Sequence, residues 1–121
     1  MNNHVLVVDD ESVMRRLVAH VLKTINVEVV GAENGFRAIE LAQECPPALA
    51  IVDLNLPGMN GFEVVKQLKQ MPDMRDIPMI IFTARNHPDD EQTAREIGAS
   101  GFLYKPFSTQ ELRDLIIHHI G

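Results

Sequence analysis

The sequence predicts an α/β fold in which a five-stranded parallel sheet is covered by helices on both faces, the doubly wound arrangement. Three observations support this prediction. Short aliphatic and β-branched runs recur five times along the 121 residues, and segments with helical apolar spacing separate them. Several runs are apolar at successive positions instead of alternating, which is typical of strands buried on both faces. The predicted strands are residues 4–8, 27–32, 49–52, 79–82 and 101–104.

The first two connecting segments have the apolar spacing of helices that pack on a sheet. In the first segment, Ser12 is placed to cap the helix. Its predicted buried stripe consists of Val13, Met14, Leu17, Val18, Val21 and Leu22. The second helix starts near Asn34 and stops before Pro46 and Pro47, because proline cannot continue a helix. Its predicted core residues are Ala38, Ile39 and Leu41.

The three later helices are predicted with unequal support. The third, residues 62–71, has Phe62, Val65 and Leu68 on one side. The fourth, residues 89–97, is the weakest, with Ala94 and Ile97 as its core residues. The fifth opens with the sequence STQE at 108–111, a capping box in which two side chains each accept a backbone N–H of the first turn. Its predicted buried residues are Leu112, Leu115, Ile116 and Ile120.

The composition and charge of the chain argue against several classes of protein. The formal net charge is −6 and no run of cations occurs, so we expect no direct binding of nucleic acid. No apolar run approaches the roughly 20 residues that cross a bilayer, and no secretory signal is recognisable, so we expect no membrane contact and a cytoplasmic location. The lone Cys45 excludes a disulfide framework within the chain. We expect residues 1–121 to form a single domain, with no output domain in this chain.

Polar side chains follow the predicted strands at the points where the strands end. Asp9 and Asp10 follow the first strand, and Asp53 follows the third. Thr83 follows the fourth strand and Lys105 the fifth. Because the carboxyl ends of parallel strands meet at one edge of the sheet, where ligands bind in such folds, we expect these five side chains to converge on one site.

Three carboxylates in one place require a cation. Two unit charges about 4 Å apart repel by roughly 4 kcal/mol at an effective dielectric of about 20. An all-oxygen donor set suits a hard divalent ion, and Mg²⁺ is favoured because few protein ligands leave room for waters and a phosphate oxygen. With Lys105 and the Thr83 hydroxyl, the site contains the groups that phosphoryl transfer to a carboxylate needs. The bond before Pro106 could be cis and would then fix the direction of Lys105.

Four motifs, taken in order, resemble a known family. They are VVDDE at 7–11, IVDLNLPGMNG at 51–61, IIFTA at 80–84 and GFLYKPF at 101–107. Together they resemble the receiver domain of response regulators in two-component signalling, in particular the chemotaxis-regulator type. The resemblance covers the whole chain and implies a flavodoxin-like strand order of 2-1-3-4-5.

The resemblance implies a role for each residue of the acidic cluster. Asp53 would accept a phosphoryl group from a histidine kinase or a histidine phosphotransfer protein, or from a small donor such as acetyl phosphate. Asp10 and Asp53 would bind Mg²⁺ directly, together with the backbone carbonyl of Asn55. Asp9 would act mainly through a metal-bound water.

The resemblance also implies a switch. Lys105 would pair with the phosphoryl group, Thr83 would move to hydrogen-bond it, and Phe102 would turn inward. Asn55 and Arg85 occupy the two positions that tune the lifetime of the phosphate in the family. The readout would be the surface of the fourth helix, fifth strand and fifth helix, where a downstream protein or a tethered output domain would bind. We expect a monomer, or a weak dimer through that surface.

Three other functions are weaker interpretations. An aspartyl-phosphate-forming phosphatase or phosphotransferase enzyme is the main alternative, but known hydrolases of that kind carry a second acid where this chain has Asn55. A nucleotide- or flavin-binding domain lacks its phosphate-binding loop here, since neither GxGxxG nor GxxxxGK[ST] occurs. A degenerate receiver that acts only as a scaffold is disfavoured because the switch residues are present.

Overall fold

The computed structural model describes residues 4–120, in which five strands alternate with five helices along the chain. The strands are β1 (His4–Val8), β2 (Glu28–Ala32), β3 (Leu49–Val52), β4 (Met79–Thr83) and β5 (Gly101–Tyr104). The helices are α1 (Ser12–Lys23), α2 (Gly35–Glu44), α3 (Gly61–Gln70), α4 (Asp90–Glu96) and α5 (Thr109–Ile120). All strand pairs are parallel and the order is β2-β1-β3-β4-β5, as predicted.

The strand register aligns the carboxyl ends of the central strands. Val8, the last residue of β1, pairs with Ala32 of β2 and with Val52 of β3. Toward the β5 edge of the same sheet, Thr83 at the end of β4 pairs with Tyr104 at the end of β5. The residues that directly follow the strands therefore emerge along one edge of the sheet.

The core lies in two layers, one on each face of the sheet. One layer joins the sheet to α1 and α5 and includes Val18, Val21, Leu22, Leu112 and Ile116. The other joins it to α2, α3 and α4 and includes Ala38, Ala42, Val64, Val65, Leu68 and Ala94. Each large aliphatic side chain fully buried in this way contributes about 1.5–3 kcal/mol to folding. Because β1, β3 and β4 are covered on both faces, they form the rigid frame that carries the site.

Two predictions for the first helix are wrong. Glu11, not Ser12, occupies the N-cap position, and Ser12 is the first helical residue. Val13 and Leu17 are 71% and 42% exposed rather than buried. The sheet covers only the side of α1 that carries Val18 and its neighbours three and four residues away, and the predicted stripe was wider than that side.

Most other local predictions are confirmed to within a residue. Asn34 caps α2 by accepting the Arg37 N–H at 2.8 Å. The capping box of α5 is reciprocal: Ser108 Oγ accepts the Glu111 N–H at 3.0 Å, and Glu111 Oε1 accepts the Ser108 N–H at 2.9 Å. Of the core residues predicted for α2–α5, Ile39, Leu41, Phe62, Ile97, Leu115 and Ile120 are partly buried, while the others are buried. In the described part of the chain, no helix has both the length and the apolar character that crossing a bilayer demands.

Candidate functional site

The acidic cluster predicted from the strand ends is present. Carboxylate oxygens of Asp9, Asp10 and Asp53 all lie within 4.8 Å of one another. Asp9 is fully buried, Asp53 is 5% exposed, and Asp10 is exposed to solvent. The neighbouring strands β1 and β3 position this cluster, since Asp53 donates its backbone N–H to the Val8 carbonyl at 2.9 Å.

Lys105 neutralises part of the cluster. Its Nζ lies 2.7 Å from Asp9 Oδ2 and 3.0 Å from Asp53 Oδ2, and it sits 4.5 Å from the centre of the Phe82 ring. Burial disfavours the charge of Lys105, but its hydrogen bonds to the two carboxylates and their charges outweigh that effect, so the pKa of Lys105 is raised. The Lys105–Pro106 peptide bond is cis, which was the conformation considered from the sequence.

The donor set of the cluster fits a hard divalent cation. All its ligand atoms are carboxylate oxygens, and three acids against one lysine leave a formal excess of two negative charges. Asp10 faces solvent, so waters can reach the cluster. The backbone N–H groups of Glu11 and Asn55 donate to Asp9 Oδ1 at 2.8 Å and to Asp53 Oδ1 at 3.2 Å. These hydrogen bonds hold the buried carboxylates in fixed orientations.

Gly61 supports the loop that carries Asp53, a role that the sequence reading did not assign. Its N–H donates to the Leu54 carbonyl at 3.1 Å. A Cβ at this position would collide with the carbonyl oxygen of Asp53 and lie 2.8 Å from the Leu54 Cα. Only glycine therefore lets α3 begin directly against the residue pair 53–54. In the sequence Gly61 closes the IVDLNLPGMNG motif, but the motif does not give this steric reason.

Thr83 lies at the end of β4 and is fully buried. Its Oγ1 accepts the backbone N–H of Arg85 at 3.1 Å. In the described residues, the hydrogen-bond donors to the Asp53 carboxylate are Lys105 Nζ and the Asn55 N–H, and the Thr83 hydroxyl is not among them. The structure therefore shows the predicted switch threonine engaged with its own loop.

Arg85 is bound to an acid that was not singled out from the sequence. Its Nε and one terminal nitrogen donate to the two carboxylate oxygens of Asp90, each at 2.8 Å. Asp90 is the first residue of α4 and is 2% exposed. The hydrogen bond to Asp90 raises the pKa of Arg85, in spite of a smaller opposing effect of burial.

Phe102 and Tyr104 lie two residues apart on β5, so both side chains project from the same face of the strand. Their ring centres are 4.9 Å apart. Phe102, the predicted switch aromatic, is partly buried and lines a recess of about 210 Å³ between α4 and β5. Tyr104 is 38% exposed, and the sequence had not indicated a role for it.

Comparisons with known proteins agree with this arrangement. The family model described as "Response regulator receiver domain" matches residues 5–117. Sporulation initiation phosphotransferase F of Bacillus subtilis is 34% identical over 116 residues, which cover 96% of this chain and 92% of that protein. The phosphate regulon transcriptional regulatory protein PhoB of Escherichia coli is 38% identical over 112 residues, or 93% of this chain. The same 112 residues cover 49% of PhoB, so the chain spans about half the length of that relative.

A solved structure extends the agreement to the fold. The chemotaxis protein CheY4 of Vibrio cholerae superposes with a TM-score of 0.92 at 32% identity, covering 98% of this chain and 99% of CheY4. The match over residues 5–117 does not favour the alternative of a phosphatase or phosphotransferase enzyme. The chain therefore belongs to the response regulator receiver domain family, whose members are phosphorylation-switched modules of two-component signalling.

Proposed function

We propose that Asp53 accepts the phosphoryl group in this domain and that a histidine kinase or a histidine phosphotransfer protein supplies it. One observation carries the proposal. The Asp53 carboxylate lies in a cluster with the oxygens of Asp9 and Asp10, all within 4.8 Å, and the Lys105 ammonium is 3.0 Å from its Oδ2. The site thus combines a nucleophile, Asp53, with two further acids that could bind a metal and with the ammonium of Lys105.

The chemistry is a displacement at phosphorus. A carboxylate oxygen of Asp53 attacks the phosphorus, the bond from phosphorus to the donor nitrogen or oxygen breaks, and the donor leaves with the electron pair. The product is an acyl phosphate on Asp53. Lys105 stays protonated, in line with its raised pKa, and offsets the negative charge of the phosphoryl oxygens.

The cofactor in this proposal is Mg²⁺. Asp10, Asp53 and the backbone carbonyl of Asn55 would hold it, and Asp9 would contribute through a water molecule. When bound, Mg²⁺ supplies charge neutralisation for the phosphoryl oxygens. The all-oxygen donor set and its excess negative charge support this assignment.

The proposed output is a change of surface. The Thr83 hydroxyl would donate to the phosphoryl group, and Phe102 would turn inward. The surface formed by α4, β5 and α5 would then bind a downstream protein or a tethered output domain, and any weak dimer of the domain would use the same surface. The partial burial of Phe102 beside the recess supports its part in this change.

Several smaller proposals complete the function. Residues 1–121 would act as one receiver domain that catalyses its own phosphorylation and dephosphorylation and has no other substrate. Asn55, which is exposed, would tune water access to the phosphoryl group. Action in the cytoplasm and the absence of direct nucleic-acid binding remain predictions.

Acetyl phosphate provides the test. With Mg²⁺ present, we expect intact-protein mass spectrometry to show the addition of one phosphoryl group, and fragmentation to place it on Asp53. A sample treated with a chelator serves as the control and should gain little. No gain of mass with Mg²⁺, or a phosphoryl group on another residue, would contradict the proposal.

A further inference from the structure

The ion pair between Arg85 and Asp90 is built differently from the exposed ion pair on α2. It is bidentate, with both contacts at 2.8 Å, and the Asp90 side chain is 3% exposed. The Arg85 side chain is 43% exposed. For comparison, the pair between Arg37 and Glu40 on α2 is 3.5 Å long and exposed on both sides. The buried carboxylate of Asp90 thus depends on one guanidinium that reaches it from the surface.

Arg85 connects two parts of the switch region. Its backbone N–H donates to Thr83 Oγ1, and its side chain holds the first residue of α4. The loop between these points, residues 84–89, is exposed throughout. The position of the Thr83 hydroxyl is therefore tied, through one residue, to the position of α4.

Helix α4 has few other attachments to the core. It has seven residues, and Ala94 is its only buried apolar side chain. The recess between α4 and β5 lies on its inner side and is lined by Ala94 and Phe102. The other apolar contact, Ile97, lies at the C-cap, so at the first residue of the helix the ion pair with Arg85 is what holds the buried side chain.

We propose that the Arg85–Asp90 pair is a latch, a contact that holds the β4–α4 loop and its Thr83 in the unphosphorylated arrangement. The inference rests on the proposed function, because it needs Thr83 to move toward a phosphoryl group on Asp53. That movement shifts Arg85 and strains its bidentate contact unless α4 follows. Arg85 and Asp90 are then positioning residues, and Arg85 tunes the switch through α4.

The latch makes a quantitative prediction. For a ligand that binds only the switched arrangement, the apparent affinity is the intrinsic affinity multiplied by the fraction of molecules that already have that arrangement. Removing a contact that stabilises the resting arrangement raises that affinity. For a partly buried ion pair we expect an increase of about 5-fold.

The test uses the variant Asp90→Asn with beryllofluoride and Mg²⁺ as the probe. The substitution keeps the size of the side chain but replaces one of the two acceptor oxygens by an NH2 group and removes the negative charge, so the bidentate ion pair with the half-exposed guanidinium is lost. We expect calorimetry to show beryllofluoride binding about 5-fold tighter than in the wild type. We also expect faster amide hydrogen exchange at residues 84–96 without any ligand. The variant Glu40→Gln, which breaks the exposed pair with Arg37, should change neither quantity.

A second variant tests whether Arg85 and Asp90 act on the switch through the contact between them. The double variant Arg85→Gln with Asp90→Asn removes the same pair, so its affinity gain should equal that of Asp90→Asn alone rather than exceed it. Unchanged affinity in both variants, or unchanged exchange at 84–96, would overturn the latch. If the wild type itself does not bind beryllofluoride, the proposed function fails, and the latch fails with it as a control of phosphorylation.

Discussion

The variant Asp53→Asn is expected to lose phosphorylation by acetyl phosphate by at least about 1000-fold, because an amide cannot supply the attacking carboxylate oxygen. The fold should be retained, since the side-chain oxygen can still accept the Asn55 N–H that now donates to Asp53 Oδ1. Lys105 also keeps its 2.7 Å contact with Asp9. We expect the free energy of unfolding to change by no more than about 1 kcal/mol. Rates followed by intact mass and denaturant unfolding measure the two quantities.

An exposed acid gives the matched control for this variant. Asp73 is exposed in the loop after α3, so Asp73→Asn makes the same chemical change outside the site. It should be phosphorylated at the wild-type rate. If Asp53→Asn still gained a phosphoryl group at a comparable rate, the acceptor would be a different residue.

The variant Lys105→Met is expected to have the largest effect on stability. It leaves Asp9, which is fully buried, and Asp53, which is 5% exposed, without their cation. Removing one partner from a buried ion pair costs about 3–5 kcal/mol, and we expect a loss of about 3 kcal/mol in the presence of a chelator. Added Mg²⁺ should stabilise this variant more than the wild type, because the cluster then has no other cation.

Denaturant unfolding with and without Mg²⁺ measures both effects. The control is Lys66→Met, which removes an exposed lysine of α3 and should change stability by less than about 0.5 kcal/mol. Equal stability of Lys105→Met and wild type without metal would mean that Lys105 does not neutralise the carboxylates.

The site could be predicted because its members follow apolar runs directly. In a parallel sheet the end of each strand lies at a known edge, so Asp9, Asp10, Asp53 and Lys105 could be placed together from their positions in the chain alone. The capping box at Ser108 could also be predicted from the sequence, because its hydrogen bonds join residues within one segment of four.

What could not be predicted depends on contacts between distant parts of the chain. Val13 and Leu17 satisfy a helical apolar pattern, and only the position of the sheet decides that they stay exposed. The burial of Asp90 depends on a guanidinium five residues away, across an irregular loop. The need for glycine at position 61 comes from the approach of the Asp53 carbonyl, a distance that no pattern encodes.

The contact between Phe102 and Tyr104 illustrates the same limit. Their spacing on a strand places both side chains on one face, but only the structure shows that the ring centres are 4.9 Å apart and that Phe102 lines the recess beside α4. Partial burial, with repulsion from the carboxylates of Glu91 and Asp90, raises the pKa of Tyr104. Tyr104 is also the only tyrosine of a chain without tryptophan, so its fluorescence reports on this surface.

A crystal structure of the chain with Mg²⁺ and beryllofluoride is the most direct measurement of whether the strand ends form one metal-assisted acceptor site. We expect beryllofluoride on Asp53, in contact with Lys105 and Thr83, and Mg²⁺ bound by Asp10, Asp53 and the carbonyl of Asn55. An adduct on another carboxylate, or an ion bound outside the cluster of Asp9, Asp10 and Asp53, would contradict the assignment.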